Sequence, residues 1–222
     1  MWRVKNWQCT LLAAILVLGL CFSTLAAETA PNFNDIQGHW AAKTINKWVA
    51  KGLTKGYPDG IFQPDKSITR AEFMTWVNNV FGYTKTVPLS FSDVSEKDWF
   101  GKEVARAQAA GYIKGYPDGR VKPNDFLSRQ EVAVVLANIL ALKDPAPDVA
   151  DKFLDGAAIP SWSKAAINAI VDSGCMKGYP DGTFKPTQPI TRAEALSVLD
   201  SAADVADDVA DDVAVDVVYD KA

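Results

Sequence analysis

One histidine and three cysteines in 222 residues leave little side-chain chemistry for catalysis. His39 and Cys175 stand far apart in the chain, and no nucleophile with an adjacent base can be read from it. Glycan hydrolysis by paired carboxylates is left open, and nothing in the sequence supports it. A metal motif is also missing. Asp59, Gly60 and Asp65 lack the alternating acids and terminal glutamate of a calcium loop. No metal, no cofactor and no enzymatic activity are therefore expected. There is no basic surplus either, the formal charge being −4, which argues against nucleic acid as a partner. The long apolar run at 11–22 is too short for a comfortable membrane span.

That run has another meaning. It follows Arg3 and Lys5 and precedes Ser-Thr-Leu-Ala-Ala at 23–27. A basic start, a short apolar segment and small residues form a secretory signal, cleaved after Ala26 or Ala27. Cys9 and Cys21 leave with it, so the exported chain keeps Cys175 alone and forms no intrachain disulfide. Losing Arg3 and Lys5 moves the charge to −6, and seven Asp with Lys221 in the tail after Ala203 carry −6. The body between is close to neutral.

What is present is one unit written three times. Lys-Gly-Tyr-Pro-Asp-Gly occupies 55–60, 114–119 and 177–182. An arginine stands 14 positions after the first glycine of each copy: Arg70, Arg129 and Arg192. A tryptophan stands 16 positions before it: Trp40, Trp99 and Trp162. Further upstream, Phe-x-Asp ends in Asp35, Asp93 and Asp155. The step is 59, then 63 residues, which points to an array of units that bury their faces against one another. The chain divides into a signal at 1–27, repeats at 28–83, 84–142 and 143–203, and an acidic low-complexity tail or linker at 204–222. Short linkers are expected at 84–90 and at 143–152, the second with Pro145 and Pro147.

Each repeat reads as helix, turn, short extended piece, helix. Ile45, Val104 and Ile167 align, as do Trp48, Ala107 and Ile170, giving the first helix an apolar stripe. Gly52, Gly111 and Gly174 stand where a glycine C-cap is expected. Tyr-Pro-Asp-Gly is a turn, and Phe62-x-Pro64 with its counterparts predicts a brief extended segment. Thr69-Arg-Ala-Glu72, Ser128-Arg-Gln-Glu131 and Thr191-Arg-Ala-Glu194 are capping boxes that start the second helix. Ile68, Leu127 and Ile190 precede them as hydrophobic staples. In the tail, valines recur every four residues, but a solvated acidic linker is the expectation.

This combination of Phe-x-Asp, Trp, Gly-Tyr-Pro-Asp-Gly and Thr-Arg-Ala-Glu resembles the surface-layer homology (SLH) repeat, over about residues 33–202. Three tandem copies are the usual set of that family. The resemblance implies a mainly α fold: three helix-turn-helix repeats in a pseudo-threefold spindle around a central helix bundle, a pseudo-trimer within one chain. Grooves between neighbouring repeats are implied as binding sites. Also implied are export to the cell surface or cell wall, as in an S-layer, and non-covalent anchoring there. The implied ligand is a secondary cell-wall polysaccharide bearing pyruvate ketals, or peptidoglycan. A helical-repeat module for another protein, or a fragment of a larger surface protein or exoenzyme, is the alternative.

One feature of the sequence itself points to a ligand. The helix macrodipole disfavours positive charge in the first turn, yet Arg70, Arg129 and Arg192 stand there. Next to free helix amides, each guanidinium is expected to form an anion site that grips a carboxylate with two hydrogen bonds. The competing reading pairs each arginine with Asp35, Asp93 or Asp155, which also count among the candidate polysaccharide-binding residues. Lys55, Lys114 and Lys177 are further candidates for holding the acid, against solvated surface lysines. Trp40, Trp99 and Trp162 are candidates for a sugar platform, against core or groove wall. Thr69 and Glu72 are assigned to the cap alone. Repeat two departs from the pattern with Ser128, Gln130, Arg120 and Val121, which reads as a groove altered but kept.

Overall fold

The computed structural model of the chain describes residues 33–142 and 148–219, with side chains to residue 208. The signal segment and Pro145 and Pro147 of the second linker lie outside the described residues. Six α-helices form among them: α1 (Ala42–Ala50), α2 (Arg70–Val80), α3 (Gly101–Ala110), α4 (Arg129–Ile139), α5 (Ser161–Asp172) and α6 (Arg192–Tyr219). No strand forms among the described residues, only three isolated bridges. The fold is mainly α, as expected.

Local sequence sets the helix limits. Thr69 accepts from the amide of Glu72, whose carboxylate returns to the Thr69 amide at 3.0 Å, and Ser128 with Glu131 repeats the box. Gly111 caps α3 at φ +79°, a left-handed conformation that costs glycine nothing. Gly52 and Gly174 also have positive φ, one residue beyond the caps of α1 and α5. The apolar stripes are buried: Ile45, Val104, Ile167 and Ile170 are all 0% exposed. No glycine or proline interrupts α6, so the backbone of the acidic run is helical to Tyr219, the outcome its four-residue valine spacing left open beside the expected solvated linker.

The repeats close into a ring through their staple residues. The Leu127 amide donates to the Ile68 carbonyl at 3.2 Å, Ile190 to Leu127 at 2.9 Å, and Ile68 to Ile190 at 3.0 Å. All three side chains are buried, and they sit at the junction of the repeats rather than on their own helices alone. Around this junction α3 packs on α2, α5 on α4, and α1 and α2 on α6. Asp200 of α6 fastens the last repeat to the first, accepting from Lys47 Nζ and from the buried Trp48 indole, both at 2.7 Å.

Candidate functional site

The second helices do not present free amides. The Arg70 amide donates to the Asp125 carbonyl at 3.0 Å and the Ala71 amide to Pro123 at 2.9 Å. Arg129 and Gln130 do the same to Gln188 and Pro186, and Arg192 and Ala193 to Lys66 and Pro64. With the third amide taken by the capping residue, the first turn is saturated. The expected anion site of amides plus guanidinium is therefore corrected. Tertiary contacts between repeats consume the donors, and no pattern within one repeat reveals that.

The arginines are not surface charges either. Arg70, Arg129 and Arg192 are 7%, 4% and 3% exposed. Each reaches into the next repeat, and the third reaches back to the first. Arg70 donates through Nε to the Val121 carbonyl at 2.8 Å and pairs with Glu131 at 3.2 Å. Arg129 donates to the Phe184 and Lys177 carbonyls at 2.8 and 2.7 Å. Arg192 donates to the Phe62 carbonyl at 3.0 Å and pairs with Glu72 at 3.1 Å. The guanidinium carbons lie 5.0, 4.4 and 4.6 Å from the ring centres of Tyr116, Tyr179 and Tyr57. Burial lowers the pKa of Arg192, and Glu72 opposes that shift.

The alternative pairing with Phe-x-Asp is also corrected. Asp93 accepts the Val121 and Lys122 amides at 2.9 and 2.7 Å, and Asp155 accepts those of Phe184 and Lys185, both at 2.7 Å. Asp35 does the same for Phe62 and Gln63. Gln63, Lys122 and Lys185 take φ of 56°, 54° and 56°, so the Phe-x-Pro piece curls left-handed at its centre where an extended segment was expected. A carboxylate holding two successive amides stabilises that turn, which non-glycine residues seldom adopt.

Glu72 does more than cap, which corrects its assignment. It also accepts the Tyr57 hydroxyl at 2.6 Å, as Glu131 accepts Tyr116 at 2.9 Å and Glu194 accepts Tyr179 at 2.7 Å. Burial pushes these three tyrosines up to about 12, and the facing carboxylates add to it. This tyrosine–glutamate pair recurs at a fixed separation in every repeat, so the sequence carried a signal for it.

Two clefts open over this layer. One, of about 520 Å³, joins Lys55, Tyr57 and Glu72 of repeat one with Arg192 of repeat three and Trp99 of repeat two. The other, of about 670 Å³, joins Lys177, Tyr179 and Glu194 of repeat three with Arg129 of repeat two and Trp40 of repeat one. Each cleft thus draws on all three repeats. Trp40, Trp99 and Trp162 are 64%, 65% and 58% exposed, so they are not core, and the first two are groove wall. Lys55, Lys114 and Lys177 are exposed. In repeat two, Tyr116, Glu131 and Arg70 meet as their counterparts do. Arg120 is held by Asp118 at 2.6 Å in the turn, and His39 contacts Asp65 at 3.2 Å.

Comparison with known proteins agrees with this architecture. The chain matches the S-layer homology domain over residues 32–74, 90–133 and 152–196. It is 32% identical over 188 residues to the S-layer protein sap of Bacillus anthracis, covering 83% of this chain and 22% of that protein. It is 30% identical over 154 residues to the cellulosome-anchoring protein of Acetivibrio thermocellus, covering 66% of this chain and 34% of that protein. Likeness to an amylopullulanase of Thermoanaerobacterium thermosulfurigenes, 30% over 184 residues, covers 80% of this chain and 10% of that enzyme. The chain therefore spans well under two thirds of each of these relatives. The expected location at the cell surface or wall agrees with relatives that include surface-layer and cell-surface proteins. With three matched repeats over most of the body, and the motif residues meeting between repeats, the chain belongs to the S-layer homology domain family.

Proposed function

We propose that this chain is a non-covalent anchor that holds an exported protein to the bacterial cell wall. Its grooves take an acidic, pyruvylated secondary cell-wall polysaccharide. One observation carries the reading. An exposed lysine, a buried arginine and an exposed tryptophan from three different repeats meet on one concave wall, and do so twice. Tryptophan offers an apolar face to a sugar ring. Lysine supplies a compact, mobile charge for a carboxylate. In the first cleft Lys55 and Arg192 face Glu72, so one cation is left for an anionic ligand. The arginine fixes the wall while its outer edge lines the cleft. Asp35, Asp93 and Asp155 serve the grooves by holding the amides of the left-handed turns. Weak grooves on one body gain strength together along a repeating polymer. The relatives' names, an S-layer protein and a cellulosome-anchoring protein, support the same reading.

Cosedimentation of the exported chain with purified sacculi tests it, before and after acid removal of the attached polysaccharide. Binding that disappears on stripping is the expected result. Retention after stripping assigns the ligand to peptidoglycan. Absence from both pellets overturns the anchor.

A further inference from the structure

Both clefts place a lysine, an arginine, a tyrosine and a glutamate on their wall, the second adding Asp65, and their floors differ. In repeat one the residue before the groove lysine is Thr54, which is 4% exposed and lines the cleft. Its Oγ1 is buried with no hydrogen-bond partner. The same register position holds Ile113 in repeat two and Met176 in repeat three, 8% and 1% exposed. A buried hydroxyl without a partner destabilises a fold, and an apolar residue of the same shape removes that penalty. Two of the three repeats have the apolar solution. Repeat one keeps a polar group beside a cavity large enough for a sugar.

We propose that Thr54 makes the groove of repeat one selective, its hydroxyl hydrogen-bonding a hydroxyl or acetamido group of the bound sugar. The inference rests on the reading that these grooves bind an acidic wall carbohydrate. The groove of repeat three, lined by Met176 and Cys175 at the corresponding place, takes the sugar through Lys177 and stacking on Trp40 and is indifferent to that substituent. One chain then carries a discriminating site and a tolerant one.

Trp99 lines the first cleft and Trp40 the other, so their indole N–H resonances report the two grooves separately. The probe is a synthetic N-acetylhexosamine glycoside bearing a cyclic pyruvate ketal, titrated into wild type, T54V and T54S. In T54V the midpoint at Trp99 rises about three- to tenfold, the size of one neutral hydrogen bond, while the midpoint at Trp40 stays. T54S, which keeps a hydroxyl, restores most of the affinity at Trp99. T54V also unfolds at a urea concentration no lower than wild type, which separates lost contact from lost structure. An unchanged Trp99 midpoint in T54V overturns the assignment, as does an equal shift at both indoles. If neither indole of the wild type responds, the reading of these grooves as sites for a pyruvylated carbohydrate fails and this inference with it, while sacculus binding still decides whether the chain is an anchor.

Discussion

Replacing Arg192 by methionine is the sharpest test of how the ring of repeats is held. The side chain is 3% exposed and its partner Glu72 is 16% exposed, so their ion pair at 3.1 Å is largely removed from water. Arg192 also satisfies the Phe62 carbonyl at 3.0 Å and lies over Tyr57, Phe62 and Trp76 at 4.6 to 4.9 Å. Methionine preserves much of the apolar packing but leaves the Glu72 charge and the Phe62 carbonyl without their partner. Breaking one side of a buried pair costs about 3–5 kcal/mol. Removing both charges in the double variant R192M/E72Q should cost less than R192M alone, because no orphaned carboxylate remains. The single amide oxygen that E72Q leaves can accept from Tyr57 or from the Thr69 amide but not replace both carboxylate oxygens, a cost that E72Q and the double variant share and that the cycle cancels. The coupling between the two sites is expected at about 1.5–3 kcal/mol. Urea unfolding followed by tryptophan fluorescence measures all three variants. A loss below about 1 kcal/mol for R192M, or simple additivity of the single variants, would refute the reasoning. The same result bears on ligand assays. An arginine-to-alanine variant that loses wall binding says little unless its fold is shown to persist.

Three further outcomes are expected. Gly56→Ala places a Cβ 2.1 Å from Phe33 Cε1 and 2.7 Å from the Ile61 carbonyl, so it should lower the unfolding midpoint, whereas Gly60→Ala meets no atom and is limited by its φ of +79° alone. Asp200→Ala orphans the buried Trp48 indole and should cost about 1–3 kcal/mol by urea unfolding. Tyr57, Tyr116 and Tyr179 have folded-state pKa values pushed to about 12 from an ordinary 10.0, so the folded form holds their protons more tightly. Their contribution to stability is complete below pH 10 and is lost as pH rises towards 12. Ultraviolet titration should show phenolate absorbance from these residues only near the alkaline unfolding transition. Phenolate formation at pH 10 by any of these three residues with the fold intact would contradict the half-buried tyrosine–glutamate contacts.

The sequence by itself determined the repeat and the two helices of each copy. Capping boxes, helical apolar stripes and glycine stops act within a few residues, so spacing alone exposes them. It also named the residues that gather at the clefts: Lys55, Lys177, Arg129, Arg192, Trp40 and Trp99. What it left undecided is which repeat each side chain serves. Arg192 lies 120 residues from Glu72, and Trp99 lines a cleft whose lysine belongs to another repeat. No local pattern encodes such pairings. Sequence reasoning therefore saw free helix amides and an exposed guanidinium, while closure of the ring hands those amides to carbonyls of the next repeat and buries the charge against its glutamate. Tertiary structure decided this because a donor's partner depends on which unit packs beside it, and identical motifs leave that choice to the fold.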